Sequence, residues 1–140
     1  MLEIKQNTIK IINSCDEVQF CTYGLNNYPE TRFIANYLNK NVTDFPLHFI
    51  THHNSHKIQQ ITSNPRSCLY YFNPKTRMAI TLFGTAKEFS DQNTKDKFWN
   101  DNWKQYGFKD KNDNEYTIIE FTPKIYKFYT NGSIEHTGEF

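Results

Sequence analysis

Along this chain, apolar and polar positions alternate at period two over several short stretches, the spacing of half-buried strands. Glu17 to Tyr23 sets Val18, Phe20 and Thr22 against Gln19, Cys21 and Tyr23. Gly24-Leu25-Asn26-Asn27 follows, with residues that accept the left-handed backbone of a tight turn. Pro29 opens a second strand running to about Leu38, Asn39 to Pro46 reads as a loop, and Leu47 to Thr51 is a third strand. Ser67 to Phe72 is a strand and Asn73-Pro74-Lys75 a turn. Arg77 to Phe89 is the longest strand pattern, with Met78, Ile80, Leu82 and Ala86 on one face and Gly84 marking a bulge or bend. After the charged loop Lys109 to Asn114, two last strands run from Tyr116 to Phe121 and from Pro123 to Tyr129.

Three segments carry helical spacing instead. Leu2, Ile4, Ile9 and Ile11-Ile12 form an irregular stripe ending near Asn13-Ser14. Ser55 to about Ser63 turns Ile58 and Ile61 inward and is stopped by Asn64-Pro65. Ser90 or Asp91 caps a polar helix reaching about Gln105, whose apolar members are Phe98, Trp99 and Trp103. Six or seven strands, mostly hairpin-linked with helices between them, predict a mainly β fold, a β-barrel with accessory helices. No repeat, linker or composition break divides residues 1–140, so one domain is expected.

Composition sharpens this. Aromatic residues make up 16%, with 12 Phe and 9 Tyr, although only 37% of the chain is hydrophobic and mean hydropathy is −0.77. So many rings in a polar chain suit strands that pack aromatic faces, against a flat ligand or a partner subunit. With 16 Lys+Arg against 15 Asp+Glu, bulk charge gives no reason to expect nucleic acid. Cys15, Cys21 and Cys68 are odd in number and lack metal spacing, which points to a reducing cytoplasm and to cysteines acting as small apolar residues. Charges interrupt every apolar stretch of the N-terminal segment, unlike a signal peptide, and no window approaches about 18 uninterrupted apolar residues. The expectation is a soluble cytoplasmic protein with no membrane partner.

The candidate chemistry lies in His48 to Pro65 and in Arg32, one of three arginines. A short strand ends in Thr51, a polar turn follows, and Ser55-His56-Lys57 opens a helix. Hydroxyls, a lysine and free backbone N–H groups at a helix start are what a phosphate requires. Arg32 lies on a largely apolar strand face, a costly place for a cation unless an anion meets it. Ser55 also suits the helix N-cap. Lys57 in the first turn opposes the helix dipole by about 0.3–1 kcal/mol, a conflict that a bound phosphate removes. His52 and His56 are four apart, but His52 falls at a strand end and no carboxylate stands beside them, so no metal is expected. Trp99 and Trp103, four apart on one helix, suit core packing or contact with a partner or a ring edge. No P-loop, serine-nucleophile motif or dinucleotide glycine turn is present, and no side chain stands out as a catalytic acid or base.

Taken in order, Asn27-Tyr28-Pro29-Glu30-Thr31-Arg32, Phe49-Ile50-Thr51, Ser55 and Lys57, Asn64-Pro65, then Gly84-Thr85-Ala86 resemble the split barrel related to pyridoxine/pyridoxamine 5′-phosphate oxidase. Within that family the likeness is to the short bacterial general stress proteins, over roughly Val18 to Tyr129. The resemblance implies a homodimer with flavin mononucleotide (FMN) at the subunit interface. It implies phosphate contacts from Arg32, Ser55 and Lys57, with Thr51 and His56 close by, and flavin or ribityl contacts from Phe33, Ile34, Phe49 and Ile50. The full oxidase has a substrate-holding lysine where this chain has Tyr37, and it ends in an arginine-x-histidine motif where this chain has Ile134-Glu135-His136-Thr137. The resemblance therefore does not extend to oxidation of pyridoxamine phosphate itself. The expected activity is oxidoreduction on bound FMN with a nicotinamide donor. Two other readings stand beside it: a flavin-binding stress protein that stores or senses FMN without turnover, and a split barrel holding haem or a deazaflavin.

Overall fold

The computed structural model describes residues 2–140. Helix α1 (Leu2–Ser14) leads into strands β1 (Glu17–Tyr23) and β2 (Pro29–Ala35), then β3 (Leu47–His52) and helix α2 (His56–Ser63). Strands β4 (Arg66–Asn73) and β5 (Met78–Phe89), helix α3 (Gln92–Phe98), and strands β6 (Tyr116–Thr130) and β7 (Ser133–Glu139) complete the chain. All seven strands join one antiparallel sheet in the order β2-β1-β4-β5-β6-β3, with β7 paired to β6.

Strand β6 is the spine. It pairs with β5 along its length, while its other edge is shared, Tyr116 to Phe121 going to β3 and Ile125 to Thr130 going to β7. The sheet curls around a core in which Phe20, Leu47, Phe49, Leu69, Tyr71, Ile80, Leu82 and Phe121 are fully buried. Tyr71 satisfies its hydroxyl on Asn36 Oδ1 at 2.9 Å, and burial pushes its pKa well up. A second cluster under α3 packs Trp103, Phe108, Tyr116 and Ile118, with Ile50 and Trp99 at its margin.

The sheet is a path and not a ring, because β2 and β3 are its two ends and do not pair. In place of a neighbouring strand, Asn39 covers part of the β3 edge: its Nδ2 donates to His48 O at 2.9 Å and its Oδ1 accepts from His48 N at 3.0 Å. This open seam defines a split barrel.

Four boundaries differ from the sequence reading. Strand β2 ends at Ala35, because Asn36 turns inward to bind Ile12 O and Cys15 O, and Tyr37–Asn39 forms a 3-10 turn. The helix expected to reach Gln105 stops at Phe98; Trp99 and Asn100 are extended, and Asn100 caps a separate 3-10 turn, Asp101–Tyr106, so the two tryptophans do not share a helix. The two last strands expected around Pro123 are one, since a bulge at Phe83/Gly84 lets β5 follow β6 past the proline. Strand β7 was not anticipated.

Candidate functional site

Arg32 reaches inward from β2 to the region under α2. Its Nη1 donates to Thr22 Oγ1 at 2.8 Å and to Phe20 O at 3.2 Å, and its Nη2 donates to Gln60 Oε1 at 2.9 Å. Gln60 is buried and also accepts from Thr22 Oγ1, while its amide nitrogen donates to Glu30. Glu30 itself stands 4.0 Å from the guanidinium. Burial lowers the Arg32 pKa and Glu30 pushes it back up; an arginine stays charged throughout. Three fixed acceptors thus orient this cation.

Lys57, in the first turn of α2, is half-buried and makes no ion pair among the described residues. Burial first, and Arg32 second, lower its pKa. The two cations are therefore close enough to repel. Ser55 precedes Lys57 by two residues as the N-cap residue with extended backbone, but its side chain makes no cap hydrogen bond. Its Oγ is buried with no partner in the protein. A buried hydroxyl left unpaired costs about 1–3 kcal/mol, and the Lys57–Arg32 repulsion, which Glu30 offsets only on the Arg32 side, adds to it. An anion held by Ser55 Oγ, Lys57 and Arg32 removes both costs, and a phosphate monoester fits that donor set.

The remaining expected residues are placed as follows. Thr51 is buried at the end of β3, leading into the turn before Ser55, and His56 is exposed. Phe33 is 65% exposed on the outer face of β2, opposite in direction to Arg32 and Ile34. Ile34 and Phe49 are core residues at 7% and 1% exposure, so these two positions can offer a ligand only main chain. Ile50 faces the Trp103 cluster. Of the residues expected to face a phosphate, Arg32 and Lys57 are brought near each other, while the side chains expected against a ring are spread over both faces of the sheet.

Two participants were not foreseen. Thr22 and Gln60 hold Arg32, and Lys57 and Gln60, three apart on α2, share a helix face. That i, i+3 spacing was the available signal. The neighbouring histidines are occupied elsewhere: His52 stacks on Phe108 with centroids 4.4 Å apart and its Nε2 bonds Tyr106 O at 2.9 Å, and His53 Nδ1 lies 2.6 Å from Glu88. Trp103 is buried with its indole N–H on Phe98 O, and Trp99 packs edge-on to Tyr116.

An open-seamed β-barrel with an unpaired buried hydroxyl and two mutually repelling cations near its helix start outlines a class, and the sequence comparison defines the family. The chain belongs to the pyridoxamine 5′-phosphate oxidase-like family, whose profile matches residues 7–135. No curated relative matches the sequence. Among solved structures, a Clostridium acetobutylicum protein related to general stress protein 26 of Bacillus subtilis superposes with a TM-score of 0.82 at 20% identity, covering 99% of this chain and 94% of that one. A pyridoxamine 5′-phosphate oxidase-related, FMN-binding protein of Nostoc punctiforme gives 0.69 at 15% identity, covering 97% and 84%. A haem-binding protein from Mycobacterium smegmatis gives 0.70 at 10% identity, covering 97% and 57%. Among the described residues, no helix is long and apolar enough to cross a membrane.

Proposed function

We propose that this chain binds FMN and works as an FMN-dependent oxidoreductase with a nicotinamide donor. The observation that carries the reading is the buried, unpaired Ser55 Oγ, two residues before a half-buried Lys57 that has no ion pair among the described residues and is repelled by Arg32. Ser55, Lys57 and Arg32 would hold the phosphate, with His56 at the rim. The main chain around Ile34 and Phe49, and the exposed Phe33, would border the ribityl chain and ring. When bound, FMN supplies the redox chemistry, and the protein contributes orientation, charge and access. Thr22 and Gln60 serve by fixing the Arg32 guanidinium before the phosphate arrives, so little ordering remains to oppose binding.

The family name and the FMN-binding neighbour support this reading, whereas the haem-binding neighbour, of which this chain covers 57%, keeps haem as the second reading. Titration of the purified protein with FMN, riboflavin and haem, followed by absorbance and fluorescence, separates them. FMN should bind orders of magnitude more tightly than riboflavin, because two or three charge-assisted bonds contribute about 1.5–3 kcal/mol each. Equal affinity for the two flavins, or preference for haem, would overturn the assignment. Steady-state oxidation of NADPH or NADH by the loaded protein then distinguishes an enzyme from a flavin store.

A further inference from the structure

Cys21 and Cys68 stand directly opposite each other on β1 and β4. Their strand neighbours Phe20, Thr22 and Leu69 are buried in the core, so the two cysteines face the other side of the sheet, where both are half-buried. There they line a cavity of about 650 Å³ with Tyr23, Phe83, Ile125 and two cations, Arg66 and Lys124, and no carboxylate borders it. Directly opposed residues on antiparallel strands have Cα atoms about 4.5–5.5 Å apart in either kind of pair, inside the roughly 4.4–6.8 Å that a disulfide spans. The third thiol, Cys15, is buried elsewhere against Phe72 O.

We propose that Cys21 and Cys68 form a redox-active dithiol, oxidised to a cross-strand disulfide by an anionic low-molecular-weight disulfide that enters this cavity. The cations suit a carboxylate-bearing molecule such as glutathione disulfide, and the apolar floor suits its sulfur atoms. Burial, reinforced by Cys21 beside it, pushes the Cys68 thiol up to about 12, so Cys68 is protonated at neutral pH and the first attack comes from Cys21. The Cys21 thiolate attacks one sulfur of the small disulfide, forming a mixed disulfide and releasing one glutathione thiolate. The part of the Cys68 shift owed to a charged Cys21 is thereby removed. Cys68 then gives its proton to solvent and attacks Cys21 Sγ, releasing the second glutathione. Two protein thiols are oxidised and one small disulfide is reduced to two thiols. The chemistry is independent of any flavin.

The test treats the folded protein with glutathione disulfide, quenches with iodoacetamide, and reads intact mass and a peptide map. The expected product is lighter by about 2 Da before alkylation and links Cys21 to Cys68, with Cys15 alkylated once unfolded. Cys68→Ser should stop at a glutathione adduct on Cys21, and Cys21→Ser should leave Cys68 unreacted at neutral pH. At low ionic strength the neutral hydroxyethyl disulfide should react more slowly than glutathione disulfide. A stable glutathione adduct on the wild-type protein, a bridge involving Cys15, equal rates for the two reagents, or two thiols inert in the folded state would each overturn the proposal.

Discussion

In the proposed FMN site, Lys57 is the residue at which stability and binding would oppose each other. Its ammonium sits at the positive end of α2, is half-buried, and is repelled by Arg32. Lys57→Met should keep the stem packing and remove the conflict, raising the stability of the ligand-free protein by up to about 1 kcal/mol in thermal or urea unfolding. The same variant should weaken FMN binding by an order of magnitude or more while leaving riboflavin affinity unchanged. A pH dependence follows from the lowered pKa. In the free protein Lys57 loses its proton earlier than an ordinary lysine, and a bound phosphate dianion favours the protonated form. FMN affinity should therefore hold near neutrality and fall as pH rises through the lowered Lys57 pKa, with proton uptake on binding in that alkaline range. Below about pH 6 the phosphate loses one charge and affinity should fall again. Titration calorimetry across pH measures both limbs, and riboflavin should show neither. At this scale the sequence was informative where charge sat in an improbable place: Arg32 on an apolar strand and Lys57 in a first helical turn. It was silent on the roles of Thr22 and Gln60: a hydroxyl within the β1 alternation and a glutamine beside another on a short helix reveal nothing until their partner is known.

Among the elements, the β5–β6 ribbon depends on one glycine. A Cβ at Gly84 would lie 2.1 Å from Thr122 O and 2.9 Å from Pro123 Cα, both backbone atoms that cannot swing away. Gly84→Ala should cost about 1–3 kcal/mol or more, read as a lower urea midpoint. Alternation exposed β1, β3, β4 and β5 to within a few residues because each has one face in the core. Strand β7 escaped notice because it lies largely exposed on both faces, so no apolar period marks it. Its signal was local: Asn131 and Gly132 have φ of 52° and 85°, the left-handed pair of a tight hairpin, and Asn-Gly is the dipeptide that favours it. The helix expected through Trp103 failed for a complementary reason. Trp99 and Trp103 have helical spacing, but Asn100 offers its side chain to Asn102 N as a fresh cap, and that local bond ends one helix and starts another turn.

For the molecule as a whole, the exposed rings call for cover. Tyr28 and Phe33 are 71% and 65% exposed, Tyr28 just before β2 and Phe33 on it, and Tyr37 is 47% exposed in the 3-10 turn beyond it. A symmetric dimer across this surface would bury them. Light scattering over a dilution series should give a dimer, and saturating FMN should raise its unfolding free energy by about 2.7 kcal/mol at a hundredfold excess over Kd. A stable monomer with full FMN affinity would assign the whole site to one chain.

The seam between β2 and β3 also sets an order of assembly. Strands β1, β2, β4 and β5 can zip together as soon as they are made, each pairing with another of the four. Strand β3 has β6 as its only backbone partner, Leu47 opposite Phe121 and His52 opposite Tyr116, so it must wait while most of the chain is synthesised. The strand that leads into Ser55 and Lys57 is thus seated late, and in the proposed function cofactor capture would be a late event in the life of the nascent chain. Ribosome-bound chains stalled before Tyr116 emerges should acquire no FMN, and those released after all of β6 and β7 has emerged should acquire it promptly.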